Sequence, residues 1–204
     1  MNITVPDFTT LQSFTPQSLT PDRHGRRQRL MAHRRLRSVS LGPCMRLQFE
    51  DALTLRHQIQ EVLRAERVTS AEGMQQEIDT YAHLLPDGSN WKATLMIELP
   101  DAQQRRRELP LLNQAVHQVY VELPGQPRVH AHANEDQPDR HLGRLSAVHF
   151  LRFQFAAPGR AALQAGSPAR LGCTHPQYEF RRVIPRATLD LLRRDLLPAG
   201  ELAT

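Results

Sequence analysis

Lysine is all but missing from this chain of 204 residues: Lys92 is the only one, so the net charge of +5 rests on arginine. Arginine makes bidentate contacts to carboxylate and phosphate, and this composition permits an anionic partner without requiring one. Cysteine is nearly as scarce. Cys44 and Cys173 lie far apart with no CxxC, which excludes a disulfide framework and a cysteine-ligated cluster and leaves two reduced, packed thiols as the expectation. No run of eighteen apolar residues exists, so no transmembrane helix and no membrane partner are expected. The start, MNITVPDFTTLQSF, lacks the basic residues and apolar centre of a signal peptide, and a cytoplasmic protein is expected. Several catalytic signatures are absent as well: GxGxxG, GxxxxGK[ST], HExxH, GxSxG and the Glu-x-x-His of di-iron bundles.

What is present is led by Leu85 to Leu99, LPDGSNWKATLMIEL. Pro86, Asp87 and Gly88 predict a tight turn, because Pro86 presets φ and Gly88 tolerates positive φ. After it, Trp91, Ala93, Leu95, Ile97 and Leu99 alternate with Lys92, Thr94, Met96 and Glu98. A period of two with one apolar side predicts a half-buried strand. The second-best strand is Ser146 to Phe155, apolar on both faces and therefore expected inside a sheet.

The remaining elements follow from caps and periods. Residues 1–18 have no period and read as a loosely ordered arm before a single domain over 19–204. Thr20, Pro21 and Asp22 open a helix that carries Arg23, Arg26, Arg27, Arg29, Arg34 and Arg35 and runs on to Arg37, the most basic segment of the chain. Arg37 to Gly42 and Met45 to Glu50 predict a hairpin around Gly42-Pro43. Asp51 starts a helix with Leu55, Ile59, Val62 and Leu63 on its apolar face, and Thr69 with Glu72 stands at capping-box spacing before another. Asp101 caps a further helix that Pro110 should end or kink. Val116 to Leu123 and Arg128 to Ala133 read as strands, 134–145 as a polar loop and Pro158 to Gly166 as a short helix. One or two strands follow over Ala169 to Ile184, and Thr188 to Leu197 is a closing helix. Strands and helices mix without strict alternation, which predicts an α+β fold with a mostly antiparallel sheet packed by several helices.

The segments RLMAHRRLRSVSLGP, QIQEVLRAER, LLPDGSNWKATLMIELPD and SAVHFLRF resemble, in order, those of the bacterial family catalogued as domain of unknown function 3501, from about residue 20 to about residue 197. The family carries no assigned activity, so the resemblance implies no cofactor and no catalytic residue. It implies an accessory role in redox or iron handling, beside rubrerythrin-like or iron–sulfur oxidoreductase proteins. The His130-x-His132 pair and His141 lie outside the family's pattern.

Three constellations carry chemistry. His130 and His132, two apart on a predicted strand with Glu135 and Asp136 following, have the spacing of a divalent-metal chelate; a solvent-facing edge strand explains them equally. His57 and Glu61, i and i+4 on a helix, suit a proton-transfer pair or a plain surface contact. Glu98, His149 and Arg152, with Asp87, meet in one cleft if the two best strands are neighbours and their side chains converge. The alternative is a core salt bridge, with Glu98 or Glu50 pairing Arg152, beside a hydrogen-bonded histidine. Three functions follow: an accessory or binding protein, an enzyme using Glu98, His149 and Arg152 or the His130/His132 pair, and a nucleic-acid binder using Arg23 to Arg37. The last is disfavoured because no aromatic residue is interleaved among the arginines.

Overall fold

In a computed structural model, described over residues 23–135 and 145–197, the two strongest strand signals lie side by side. The elements are α1 (Arg23–Leu36), β1 (Ser38–Leu41), β2 (Met45–Phe49), α2 (Ala52–Ala65), α3 (Ala71–Ala82), β3 (Asn90–Ile97), α4 (Ala102–Val116), β4 (Val119–Glu122), β5 (Val129–His130), β6 (His132–Ala133), β7 (Val148–Gln154), α5 (Ala157–Gln164), β8 (Arg170–His175), β9 (Tyr178–Val183) and α6 (Arg186–Arg194). They form an α+β fold with two sheets, in the orders β1-β2-β3-β7-β6 and β5-β4-β8-β9, and every strand pair is antiparallel. The expected arm over 1–18 lies outside the described residues, as do Asp136 and His141. No described helix is long and apolar enough to cross a membrane.

The first sheet buries one face fully and the other in part. On one side Leu47, Phe49, Trp91, Leu95, Leu151 and Phe153 meet Val119, Val121 and Leu171 of the second sheet in one core, which α4, α5 and α6 close through Leu112, Leu163 and Leu192. Trp91 is fully enclosed, and its indole Nε1–H donates to the Leu192 carbonyl of α6 at 2.8 Å. On the other side the α2–α3 pair lays Leu55, Ile59, Leu63 and Ile78 over the sheet, where Phe150 reaches up to them. Each such fully buried side chain contributes about 1.5–3 kcal/mol relative to exposure.

The β1–β2 connection is pinned by the second sheet. Gly42 has φ +67°, and a Cβ there would come within 2.7 Å of the Phe180 ring. The Tyr178 hydroxyl accepts from Cys44 N and Met45 N, both at 3.0 Å, and donates to the Leu41 carbonyl at 2.7 Å.

Three local expectations change. The cap of α3 is Ser70, whose hydroxyl accepts from Gly73 N, one residue past the expected Thr69. Helix α4 begins at its Asp101 cap as expected but continues through Pro110 to Val116, because Leu112, Ala115 and Val116 are locked in the core. Arg128 to Ala133 is not one strand: β5 pairs with β4 of the second sheet, and β6 pairs with β7 of the first.

Candidate functional site

That division decides the histidine pair. His130 lies opposite Tyr120 in one sheet and His132 opposite Arg152 in the other, so the spacing of two does not put them on one strand face. His130 stacks obliquely on Tyr120 with ring centroids 5.9 Å apart, while His132 Nδ1 is 3.4 Å from Glu135. Among the described residues no group of three His, Cys, Asp or Glu is placed to hold a metal ion.

The proposed cleft is likewise divided by the pleat. Antiparallel partners share a face. Leu95↔His149 and Trp91↔Phe153 look into the core, whereas Lys92↔Arg152 and Thr94↔Phe150 look the other way. His149 is buried, and its two nitrogens are engaged: Nδ1 accepts from the Asn134 amide at 3.0 Å, and Nε2–H donates to the Ser146 carbonyl at 2.9 Å. Asn134 holds that position at φ +55°, with its Oδ1 accepting from Phe150 N at 3.1 Å. Arg152 makes a bidentate contact with Glu135, both bonds 2.7 Å, and not with Glu98 or Glu50. That contact holds the Glu135 carboxyl below its usual range. Glu98 pairs with Arg46 on the surface. Asp87 accepts from the hydroxyl and amide of Ser89 and closes its own turn. Although the strands are neighbours, the four residues do not converge.

Elsewhere, Glu61 bonds Arg64 at 2.7 Å. Burial lowers the His57 pKa, Glu61 opposes this, and Arg34 and Arg27 reinforce it. Of the basic segment, Arg27, Arg29 and Arg35 are exposed on α1, but Arg37 leaves that surface entirely, at 2 % exposure.

Arg37 centres a buried polar cluster that ties four elements together. Its Nε donates to the Phe49 carbonyl at 3.1 Å, one Nη to the Glu50 carbonyl at 2.9 Å, and the same group to the Asp195 carboxylate just past α6. Asp51 lies 3.4 Å from Nε and accepts from His33 Nε2 at 2.6 Å, while its other oxygen accepts from Thr54 N as the cap of α2. Burial works against the Asp51 carboxylate, but His33, Arg37 and the Thr54 amide together hold it below its usual range. At Asp195 burial wins over Arg37, and the carboxyl is pushed up to about 6. Next to this cluster the Glu50 carboxylate accepts from the hydroxyls of Thr54 (2.5 Å) and Thr94 (2.6 Å) and from the Gln58 amide (3.1 Å). Alternation held the signal: Arg37, just before β1, is in phase with Val39 and Leu41, and all three are buried.

The outer face of the second sheet carries an opposite balance. Glu122 receives Arg181 directly, with Arg128 Nε at 3.6 Å and Arg170 Nη1 at 3.9 Å. Each of these arginines is about half exposed, and the Arg128 guanidinium lies 4.4 Å from the Tyr120 ring centroid. Each guanidinium has five donors, and a carboxylate accepts about four hydrogen bonds, so donors outnumber acceptors and the cluster carries a net charge of about +2. Beside it opens a groove of about 350 Å³ lined by Pro124, Gln126, Pro168, Arg170, Arg181 and Val183. A second, of about 400 Å³, shares Gln126 and runs past Arg128, His130 and His132. Nothing in the sequence brings Glu122, Arg170 and Arg181 together, because only the β4–β8–β9 register does so.

No curated protein matches this chain. A crystal structure at 1.90 Å of a novel protein of unknown function from Burkholderia pseudomallei K96243 is similar over 96% of this chain and 100% of its own, at 37% identity and a TM-score of 0.86. The family model described as protein of unknown function (DUF3501) matches residues 3–196. Agreement over nearly the whole length, in sequence and in fold, places the chain in that family.

Proposed function

We propose that this is a binding protein rather than a catalyst, and that it takes a small anionic ligand, bearing a phosphate or paired carboxylates, on the outer face of the second sheet. The convergence of Arg128, Arg170 and Arg181 on the single carboxylate of Glu122 carries this reading. Two of the three contacts lie beyond hydrogen-bond distance, which leaves planar donors for a ligand that matches them bidentately. The adjoining groove has the volume of a small-molecule site. An accessory role in redox or iron handling, beside rubrerythrin-like or iron–sulfur oxidoreductase proteins, is proposed as the setting; co-purification of such a protein from the native host is its test.

The ligand test is titration calorimetry with pyrophosphate and with citrate at low salt. The Arg170→Ala/Arg181→Ala double variant should weaken binding by about tenfold or more, which is the loss of about 1.4 kcal/mol. Arg186→Ala removes an arginine outside the cluster whose side chain is 93% exposed, and it should change nothing. Equal losses in both variants would reduce the effect to bulk charge, and no binding of either anion would end the proposal.

A further inference from the structure

Strand β9 is an edge of the second sheet, paired with β8 alone among the described residues. Its hydrogen-bonding phase can be read directly. The β8–β9 turn has two residues, Pro176 and Gln177, which makes His175↔Tyr178 a hydrogen-bonded pair. At the far end Ile184 N donates to the Ala169 carbonyl at 2.9 Å. Tyr178, Phe180, Arg182 and Ile184 therefore spend their backbone groups on β8. Glu179, Arg181 and Val183 turn theirs outward. From Glu179 to Val183 every residue is exposed, including Phe180 at 38 % and Val183 at 56 %.

Charged residues on an edge strand usually block pairing with another chain. Here they are arranged to select one. Glu179 and Arg181 sit two apart on the outer face, with opposite charge, and both have outward backbone groups. A twofold axis perpendicular to the sheet through Phe180 places Phe180 against Phe180 of a second copy. It also sets Glu179 opposite Arg181 of that copy, and Arg181 opposite its Glu179. Both charged positions are then hydrogen-bonded pairs, so each makes two main-chain bonds as well as one ion pair. The neighbouring registers lose this match. Moving the axis to Arg181 sets the two arginines against each other, and moving it to Glu179 sets the two glutamates together. We infer that the protein self-associates by antiparallel pairing of β9 with β9 of a second copy, in the register centred on Phe180, giving a continuous eight-stranded sheet across the dimer. The pairing is isologous, as a closed dimer requires.

This goes beyond the ligand-binding reading, and its test separates the two. Sedimentation equilibrium of the full chain is run from low micromolar to several hundred micromolar. A concentration-dependent monomer–dimer equilibrium is expected. Glu179→Arg, an exposed position outside the groove, puts like charges opposite each other twice and should raise the dimer dissociation constant by about tenfold or more. Glu179→Arg/Arg181→Glu exchanges the charges across the pair; because it also takes from Glu122 its direct partner Arg181, rescue is read as association at least about threefold tighter than that of Glu179→Arg alone. Phe180→Lys should also favour the monomer, with circular dichroism confirming its fold. A monomer at all concentrations overturns the inference. So does a dimer indifferent to Glu179→Arg, or one that the charge exchange fails to rescue.

Discussion

Replacing Arg37 by methionine tests the buried cluster most severely. Methionine fills the volume of the aliphatic stem but leaves Asp51 and Asp195 facing each other without the guanidinium. It also strips the Phe49 and Glu50 carbonyls of a donor. Removing one partner of a buried ion pair costs about 3–5 kcal/mol. For a chain of this length that corresponds to a fall in Tm of about 10 °C. Asp195→Asn is the informative counterpart, since it mimics the protonated carboxyl and leaves Arg37 beside Asp51. It should cost far less than Arg37→Met at pH 7.5. The two forms also differ in pH dependence. With its folded pKa raised from 3.8 to about 6, Asp195 binds its proton more tightly in the folded state than in the unfolded one. The parent therefore loses stability relative to Asp195→Asn as pH rises from about 4 to about 6, by up to about 3 kcal/mol. Urea denaturation followed by fluorescence is the assay. Trp91 is the only tryptophan, and its indole is bonded to α6, the helix that Asp195 follows. If Arg37→Met stays within about 1 kcal/mol of the parent, or if the difference between parent and Asp195→Asn is flat across that pH interval, the assigned energetics are wrong.

Two further substitutions probe the second sheet, one at its contact with the β1–β2 connection and one between its own strands. Tyr178→Phe removes a hydroxyl that serves two amides and one carbonyl of the β1–β2 connection, and equilibrium unfolding should show a loss of about 2–4 kcal/mol. Gly172→Ala sets a Cβ 2.3 Å from the Tyr120 ring, so the ring must move; a loss of about 1–3 kcal/mol is expected, with weaker anion binding as Arg128 loses its stacking partner.

The parts of the fold legible in the sequence are those in which one strand or helix faces one core. Trp91 to Leu99 alternates because the pleat alternates, and Ser146 to Phe155 reads as apolar on both faces because β7 lies between the core and Phe150's contacts with α2–α3. Pro110 misleads because packing at Leu112, Ala115 and Val116 outweighs one missing amide bond. The histidine pair misleads because local spacing cannot reveal a change of sheet at Ala131. Arg37 was readable as an alternating partner of Val39, but its carboxylate Asp195 is 158 residues away. The arginine cluster had no sequence signal, since its members meet only across three strands.

The order of pairing has a consequence for how the chain folds. In the first sheet β3 pairs with β7, which encloses β4 and β5 within the intervening chain; in the second, β4 pairs with β8, which encloses β7 in turn. The two closures interlock, so neither sheet can be completed by a contiguous piece of chain. Each waits on a long-range closure that the other helps to stabilise, which makes for high contact order and slow, all-or-none folding. A fragment ending before β7 would carry β1, β2, β3 and β6 of the first sheet and β4 and β5 of the second, completing neither, and its exposed inner faces would aggregate rather than fold.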